Sequence, residues 1–418
     1  MPITQIVPLA ILIIMFIVAT KWPINIGVMG FVAAFFVGFF MLGMTDREIL
    51  EEFPATIFLT IVGVTFFFSM AQANGTIDVI VRACVKAVGG RMALIPWVFF
   101  FIASVLTALG TFSPAAVALL APAAMLFAAE SGISGVVMGA LIINGAHAGG
   151  FSPISVAGVL VREISEKNNF AITPIPLFLS SYAINLIISI ITVVVMAMIG
   201  KLYNHRPEGP ATAQFGEAKP ITGRQWLTLA LIVFILVAAL VFKWPIGFVG
   251  LTAGLILAFA SLDQHHTFVS GISWSTVLLV AGMITYVSIL QHAGVIDGLA
   301  DHAVKIGVPL IVALVLCYVI GISSAFASST ALLTAFIPLA APLLEQSTLS
   351  AAGVVAALAI SATIVDVSPF STDGALVVAN AQGADKGRIY NQLLGYAAII
   401  VVGAPLLTWA LLVPTGII

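Results

Sequence analysis

Apolar residues come in long unbroken runs along this chain, and the polar residues between them are few and clustered. Runs near 3–20, 23–42, 55–72, 134–161 and 177–199 fill the first half, and runs near 226–242, 244–262, 273–290, 350–380 and 392–413 fill the second. A helix needs about 20 such residues to cross a bilayer, so these ten segments predict membrane spans. Two more apolar segments, 96–130 and 307–345, are split by Gly110–Pro114 and by Ser323–Thr330 into arms shorter than a span. Each of them predicts a re-entrant hairpin, because irregular backbone at membrane depth survives only inside protein or along a cavity.

The pattern is written twice. Residues 113–161 align without a gap on 329–377, placing Ser113 on Ser329, Pro122 on Pro338 and Ser152-Pro153 on Ser368-Pro369. Ser155 falls on Ser371 and Gly158 on Gly374. Upstream, K-W-P-I at Lys21–Ile24 recurs at Lys243–Ile246, and Q-x-x-G-x-I-D at Gln72–Asp78 recurs at Gln291–Asp297. The expected fold class is an all-α polytopic membrane protein of two repeats, 1–200 and 226–418, joined by a polar linker at 201–225. Each repeat holds five spans, one hairpin and one discontinuous helix. Five is odd, so the second repeat must be inverted relative to the first, an arrangement that places the binding site of secondary transporters at the repeat interface.

The basic residues test the orientation. With both termini outside, the inner loops collect Lys21, Arg82, Lys86, Arg91, Lys201, Arg206, Lys219, Arg224, Lys386 and Arg388. The outer loops keep Arg47, Arg162, Lys167, Lys243 and Lys305. That excess satisfies the positive-inside rule. Asp78, Arg82 and Lys86, spaced four apart and matched by Asp297, Asp301 and Lys305, draw a polar stripe on an apolar helix. Each trio predicts an amphipathic arm lying in the membrane interface.

Composition agrees with a chain solvated by lipid: 61% of residues are hydrophobic, 8% are charged, and mean hydropathy is +1.20. No soluble chain of this size hides so much apolar surface. A net charge of −2 without a basic tail excludes nucleic acid as a partner. The first apolar run lacks a basic n-region and a cleavage site, so it is expected to be a retained span. Cys84 and Cys317 stand alone in sequence and predict neither a disulfide nor a metal site.

Candidate chemistry gathers at the interruptions. Ser113-Pro114, Ser152-Pro153 and Ser368-Pro369 each join a favoured N-cap residue to a favoured first helical residue. Ser329-Thr330 occupies the fourth matching position. Each is expected to start a helix in mid-membrane, where free N–H groups and roughly +0.5 charge invite an anion. Three ionisable residues lie near these points: His147, Asp366 and Asp373. An ionisable residue within a span is a functional candidate by default. Asp366 is the stronger cation ligand; Asp373 is as well explained by its place in the first turn of a half-helix, and His147 by a structural role. No lysine or arginine stands at the breaks. A dianionic substrate plus two ionised aspartates would exceed the roughly +2 that four helix ends supply, which calls for bound cations. Hydroxyls, carbonyls and carboxylates are hard oxygen ligands suited to sodium.

At these residues the chain resembles the MatC-type dicarboxylate carriers, a malonate and C4-dicarboxylate branch of the Ion Transporter superfamily. N-G-T-I-D at Asn74–Asp78, I-P-W-V at Ile95–Val98, S-P-A-A-V-A-L-L-A-P-A-A at Ser113–Ala124 and N-G-A-H-A-G-G-F-S-P-I-S at Asn144–Ser155 carry the resemblance. More distant relatives, the divalent-anion/sodium symporters, imply a homodimer with elevator-type alternating access. Those relatives carry Ser-Asn-Thr at both hairpin tips. This chain has Thr-Phe-Ser-Pro at the first and Ser-Ser-Thr at the second, with Asn144 as the candidate substitute for the missing asparagine.

The expected function is sodium-coupled import of a short dicarboxylate, malonate first and C4 acids next, across the inner (plasma) membrane. Thr111, Ser113, His147, Ser152, Ser329, Thr330, Ser368 and Thr372 are the candidate substrate ligands. Asn144, Gly149, Ser113, Ser329, Asp366 and Asp373 are the candidates for sodium, the coupling ion; no other cofactor is expected. The scaffold is expected at 1–72 and 226–290, and the moving transport part at 96–200 and 307–418. The alternatives are a proton-coupled carrier that uses Asp366 or His147, and a cation/proton antiporter. An enzyme is disfavoured, because no metalloprotease motif, cysteine cluster or Ser/His/Asp set is present.

Overall fold

The computed structural model describes residues 2–22, 24–87, 91–170, 172–203, 220–260, 269–295, 308–325, 328–345, 347–381 and 385–415. Among these residues the chain is helical, with one isolated antiparallel bridge between Ile133 and Tyr203. The first half contains α1 (Ile3–Lys21), α2 (Ile26–Phe35, continued by a π-helical turn at Phe36–Met41), α3 (Asp46–Glu51), α4 (Ala55–Ala73) and α5 (Thr76–Ala87). It continues with α6 (Ile95–Ala108), α7 (Ser113–Ser131), α8 (Gly135–Gly149), α9 (Val156–Lys167) and α10 (Pro174–Met198). The second half contains α11 (Gly223–Leu240), α12 (Ile246–Phe259), α13 (Trp274–His292), α14 (Pro309–Ser324), α15 (Ser329–Leu339) and α16 (Ala341–Glu345). It ends with α17 (Ala351–Ile364), α18 (Thr372–Ala379) and α19 (Asp385–Leu412). Helices α4, α10, α11, α13 and α19 are long and apolar enough to cross a membrane unaided.

The expected hairpins are present as α6–α7 and α14–α15. Gly110, at φ +111°, makes the first tip with a backbone conformation that a side chain would strain. Both expected discontinuous helices are present too: α8 stops at Gly149 before α9 starts at Val156, and α17 stops at Ile364 before α18 starts at Thr372. The stripe on α5 behaves as an amphipathic arm, with Asp78, Arg82 and Lys86 exposed and Ile77 and Val81 buried. Its expected counterpart at Asp297, Asp301 and Lys305, and most of the linker, lie outside the described residues.

Two helix pairs cross so closely that backbone meets backbone. A Cβ on Gly27 of α2 would collide with the Leu278 carbonyl of α13, and one on Gly282 would collide with the Gly27 carbonyl. Gly63 of α4 and Gly247 of α12 meet in the same way. Without a hydrophobic drive between helices in lipid, small residues that permit such contact supply the attraction. The pairing is reciprocal: the helix that follows each K-W-P-I packs on the third long helix of the other half. A separate group forms around α8 and α17. Every residue of α8 is buried, and so is α17 from Gly353 to Ile364. Helices α6, α7 and α10 pack on α8, while α14, α15 and α19 pack on α17. The two most enclosed helices are therefore the two that lead into the breaks.

Candidate functional site

Each break is built by a serine three residues beyond its Ser-Pro. Ser155 caps α9, its hydroxyl accepting from Gly158 N at 3.1 Å and donating to Gly150 O at 2.5 Å. Ser371 caps α18 in the same way, accepting from Gly374 N at 3.4 Å and donating to Asp366 O at 2.5 Å. Ser152-Pro153 and Ser368-Pro369 were expected to start these half-helices; they lie instead in the turns just before them. The physical reason is that a cap must lie beside the first free N–H groups, which here belong to Gly158 and Gly374. At the hairpins α7 does begin at Ser113 and α15 at Ser329, but these serines are the first helical residues. The N-cap positions are Phe112 and Ser328, and neither gives a side-chain cap hydrogen bond.

Side chains from all four interruptions meet at one point. Ser113, at the tip of the first hairpin, donates to Asp373 Oδ2 at 2.6 Å. From the second hairpin, Ser324 donates to Asp366 Oδ1 at 3.3 Å, and Ser329 hydrogen-bonds the same carboxylate. His147, at the end of α8, brings Nε2 to 3.3 Å from Asp373 Oδ2 and 3.8 Å from Asp366 Oδ2. Its approach is close enough for an ion pair but off the line of a hydrogen bond, so Nε2 has no hydrogen-bond partner. Asp373 Oδ1 is likewise unpartnered. One ligand atom from each of His147, Asp366 and Asp373 fits within 4.8 Å of the others, and all three residues are buried. Two buried acids with one histidine and an orphaned carboxylate oxygen form an electronegative centre that a small hard cation would satisfy.

The remaining candidates scatter around this centre. Ser152 gives its hydroxyl to Ala108 O at 2.5 Å and accepts from Ser155 N, holding the first hairpin against the first break. Ser368 accepts from Phe370 N at 3.3 Å. Gly149 lies so close to α6 that a Cβ would strike the Ser104 carbonyl, so its role in the structure is packing. Thr330 is buried in the first turn of α15, whereas Thr372 is exposed. Asn144 turns to α10, donating to Ser189 Oγ at 3.1 Å, while its buried Oδ1 has no hydrogen-bond partner; the Tyr396 hydroxyl lies 2.9 Å from Thr192 Oγ1. Thr111 is buried with an unpartnered hydroxyl and opens on a cavity rather than on the aspartates.

Residues 1–150 match the family model described as the dicarboxylate carrier protein MatC N-terminus. That segment of the chain is MatC-like. It contains the first hairpin, all of α8 and His147, so the matched part supplies one side of the central cluster. A solved structure covers the rest of the fold: the YdaH transporter of Alcanivorax borkumensis, described as having an unusual topology, superposes with a TM-score of 0.62. The match covers 87% of this chain and 86% of that one at 14% identity. At that identity the likeness shows the fold alone. No curated protein matches the chain.

Ser324, Tyr396 and Ser189 were not among the candidates drawn from the sequence. Each reaches its partner across tens to hundreds of residues, which spacing does not reveal. Ser155 and Ser371 did carry a signal, Ser-x-x-Gly in both repeats, and it lay inside the aligned segment.

Proposed function

We propose that this protein is a secondary transporter, a carrier and not an enzyme, that imports a short dicarboxylate, malonate ahead of C4 acids, together with sodium. The observation that carries the reading is the meeting of Asp366, Asp373 and His147 with hydroxyls from both hairpins inside an otherwise apolar bundle. The four helix starts around it contribute about +0.5 each, against −2 from the substrate and −2 from the aspartates. A protonated His147 would return one charge; sodium bound at the orphaned Asp373 oxygen and its neighbours would return the rest. Dicarboxylate as the substrate class rests on the MatC-type match over the first 150 residues. Ser113, Ser329, Thr330 and the half-helix starts would hold its carboxylates.

The protein is placed in the inner membrane with both termini outside, working as a homodimer. Helices α2, α4, α12 and α13, locked by their glycine crossings, form the scaffold. The groups around α8 and α17 form the body that moves between the two sides by an elevator-type motion. The separation of the close-packed helices into those two sets supports this division.

The ion pair of His147 with Asp373 favours a second reading, in which a proton replaces sodium. Uptake of radiolabelled malonate by proteoliposomes separates the two. Uptake is expected to require inward sodium and to survive collapse of the pH gradient. Strong uptake in sodium-free, acid-outside conditions would establish the proton-coupled carrier instead.

A further inference from the structure

A cavity of about 340 Å³ lies between α4 and the tip of the first hairpin, and neither aspartate lines it. One wall is a single face of α4: Thr65, Phe68, Ser69 and Gln72, spaced three and four apart. The other is a single face of the hairpin, Thr111, Ala115 and Leu119, and Ser273 closes one end. The lining includes hydroxyls and an amide but no acidic side chain. Thr65 and Ser273 are already tied together, Ser273 N donating to Thr65 Oγ1 at 3.3 Å. Thr111 is not tied: its hydroxyl is buried and unpartnered at the cavity wall. Directly after it, α7 begins without a side-chain cap and with Pro114 in its first turn, so its leading N–H groups have no intrahelical acceptor.

A buried orphan hydroxyl beside an uncapped helix start, in a cavity whose described lining carries no acidic side chain, recognises a carboxylate. We propose that this cavity is a low-affinity carboxylate station, shared between Thr111 and the start of α7 on one side and Gln72 and Ser273 on the other. Substrate occupies it between the central cluster and the aqueous phase at the end of α4, the side assigned above to the cytoplasm. The station presupposes the dicarboxylate reading and adds scaffold residues that the central site does not use. Among the described residues no lysine or arginine lines the cavity, which suits a station that must release its anion rather than keep it. The walls belong to the two bodies expected to slide past each other, so the station exists only in the arrangement seen here and is dismantled when they move.

The test uses the full-length protein in proteoliposomes of both orientations, with malonate as the probe. Thr111→Val is expected to raise half-saturating malonate on the side of Gln72 by roughly ten-fold or more, the loss of one hydrogen bond to a charged group. Thr111→Ser should restore it. Gln72→Glu should raise half-saturation on that side further and Gln72→Lys should lower it, with sodium dependence unchanged in every variant. Because Gln72 is exposed, these two substitutions keep the test open even if Thr111→Val folds poorly. A transporting wild type whose Gln72 and Thr111 variants all keep the wild-type half-saturation from both sides overturns the station alone. A wild type that moves no dicarboxylate overturns the transport reading, and the station with it.

Discussion

The two breaks, at 150–155 and 365–371, share a backbone and differ in chemistry. In each, one serine hydroxyl caps the following half-helix and reaches back to the carbonyl five residues earlier. The side chains hung on that frame are not shared. His147 in the first break corresponds to Thr363 in the second, Gly150 to Asp366, and Ala157 to Asp373. The first break therefore contributes a histidine and no acid; the second contributes two acids and no histidine. They face each other at 3.3 and 3.8 Å. The two halves share the device that exposes a helix start after each break. The titratable groups were divided between the copies, so that neither half makes the centre alone.

The largest effect should come from removing the group that both copies share. Asp373→Ala leaves Ser113 without its acceptor and His147 without its nearest counter-charge. Breaking a buried charged pair from one side costs about 3–5 kcal/mol, so malonate transport should fall by at least roughly 100-fold. Thr363→Val changes the position matching His147 in the other break, where the hydroxyl only returns to its own helix at Ala359 O and Ile360 O. Its transport should stay within about three-fold of wild type, the range left by losing one such bond. Comparable losses in the two variants would mean that the breaks are chemically equivalent after all.

The caps offer a sharper comparison of intermediate size. Ser155→Ala and Ser371→Ala each remove one N-cap, which costs about 1 kcal/mol. Thermal melting in detergent should fall by similar amounts in both. Transport should not: Ser371 holds the carbonyl of Asp366 itself, whereas Ser155 holds the carbonyl of a glycine. Initial uptake rates should therefore drop several-fold further for Ser371→Ala. Equal rates at equal stability would show that Asp366 keeps its position without the cap.

Much of this arrangement was legible in the sequence because membrane spans are written in runs and breaks in Ser-Pro and glycine. The boundaries of α4, α10 and α13, the two hairpins and both discontinuous helices can be read from run length alone. His147, Asp366 and Asp373 stood out because charge is rare at that depth. The caps could not be placed, since proline marks the turn and not the first free N–H group. Neither could Ser324 on Asp366, or Asn144 on Ser189, because a contact between separate helices depends on rotation about their axes, which run length leaves open. That Thr111 lines the cavity on α4 could not be read either, for the same reason.

The smallest expected effect concerns how the half-helix after each break is anchored. α9 is held at its far end: Lys167 Nζ lies 3.8 Å from Glu52 Oε2, His292 Nε2 lies 3.0 Å from Glu52 Oε1, and Gln291 donates to Asn168 Oδ1 at 2.7 Å. Among the described residues the side chain that ends α18, Asn380, bonds within its own helix, to Leu376 O at 2.8 Å. Partial burial pushes the Glu52 carboxyl up, but hydrogen bonds from His292 and Ser288 and the charge of Lys167 outweigh it and hold the group below its ordinary value of 4.5. A carboxylate whose value is depressed on folding stabilises above its unfolded value and loses that contribution as pH falls through the folded one. Glu52 remains partly open to solvent, which screens these contacts, so the gain is under about 1 kcal/mol. Glu52→Gln should therefore lower the melting temperature by roughly 1–2 °C at pH 7, and the gap from wild type should close as the pH is taken below about 4. A variant that melts with wild type at pH 7 would show that the contacts of Lys167 and His292 with Glu52 hold nothing, and that α9 is as loosely anchored as α18.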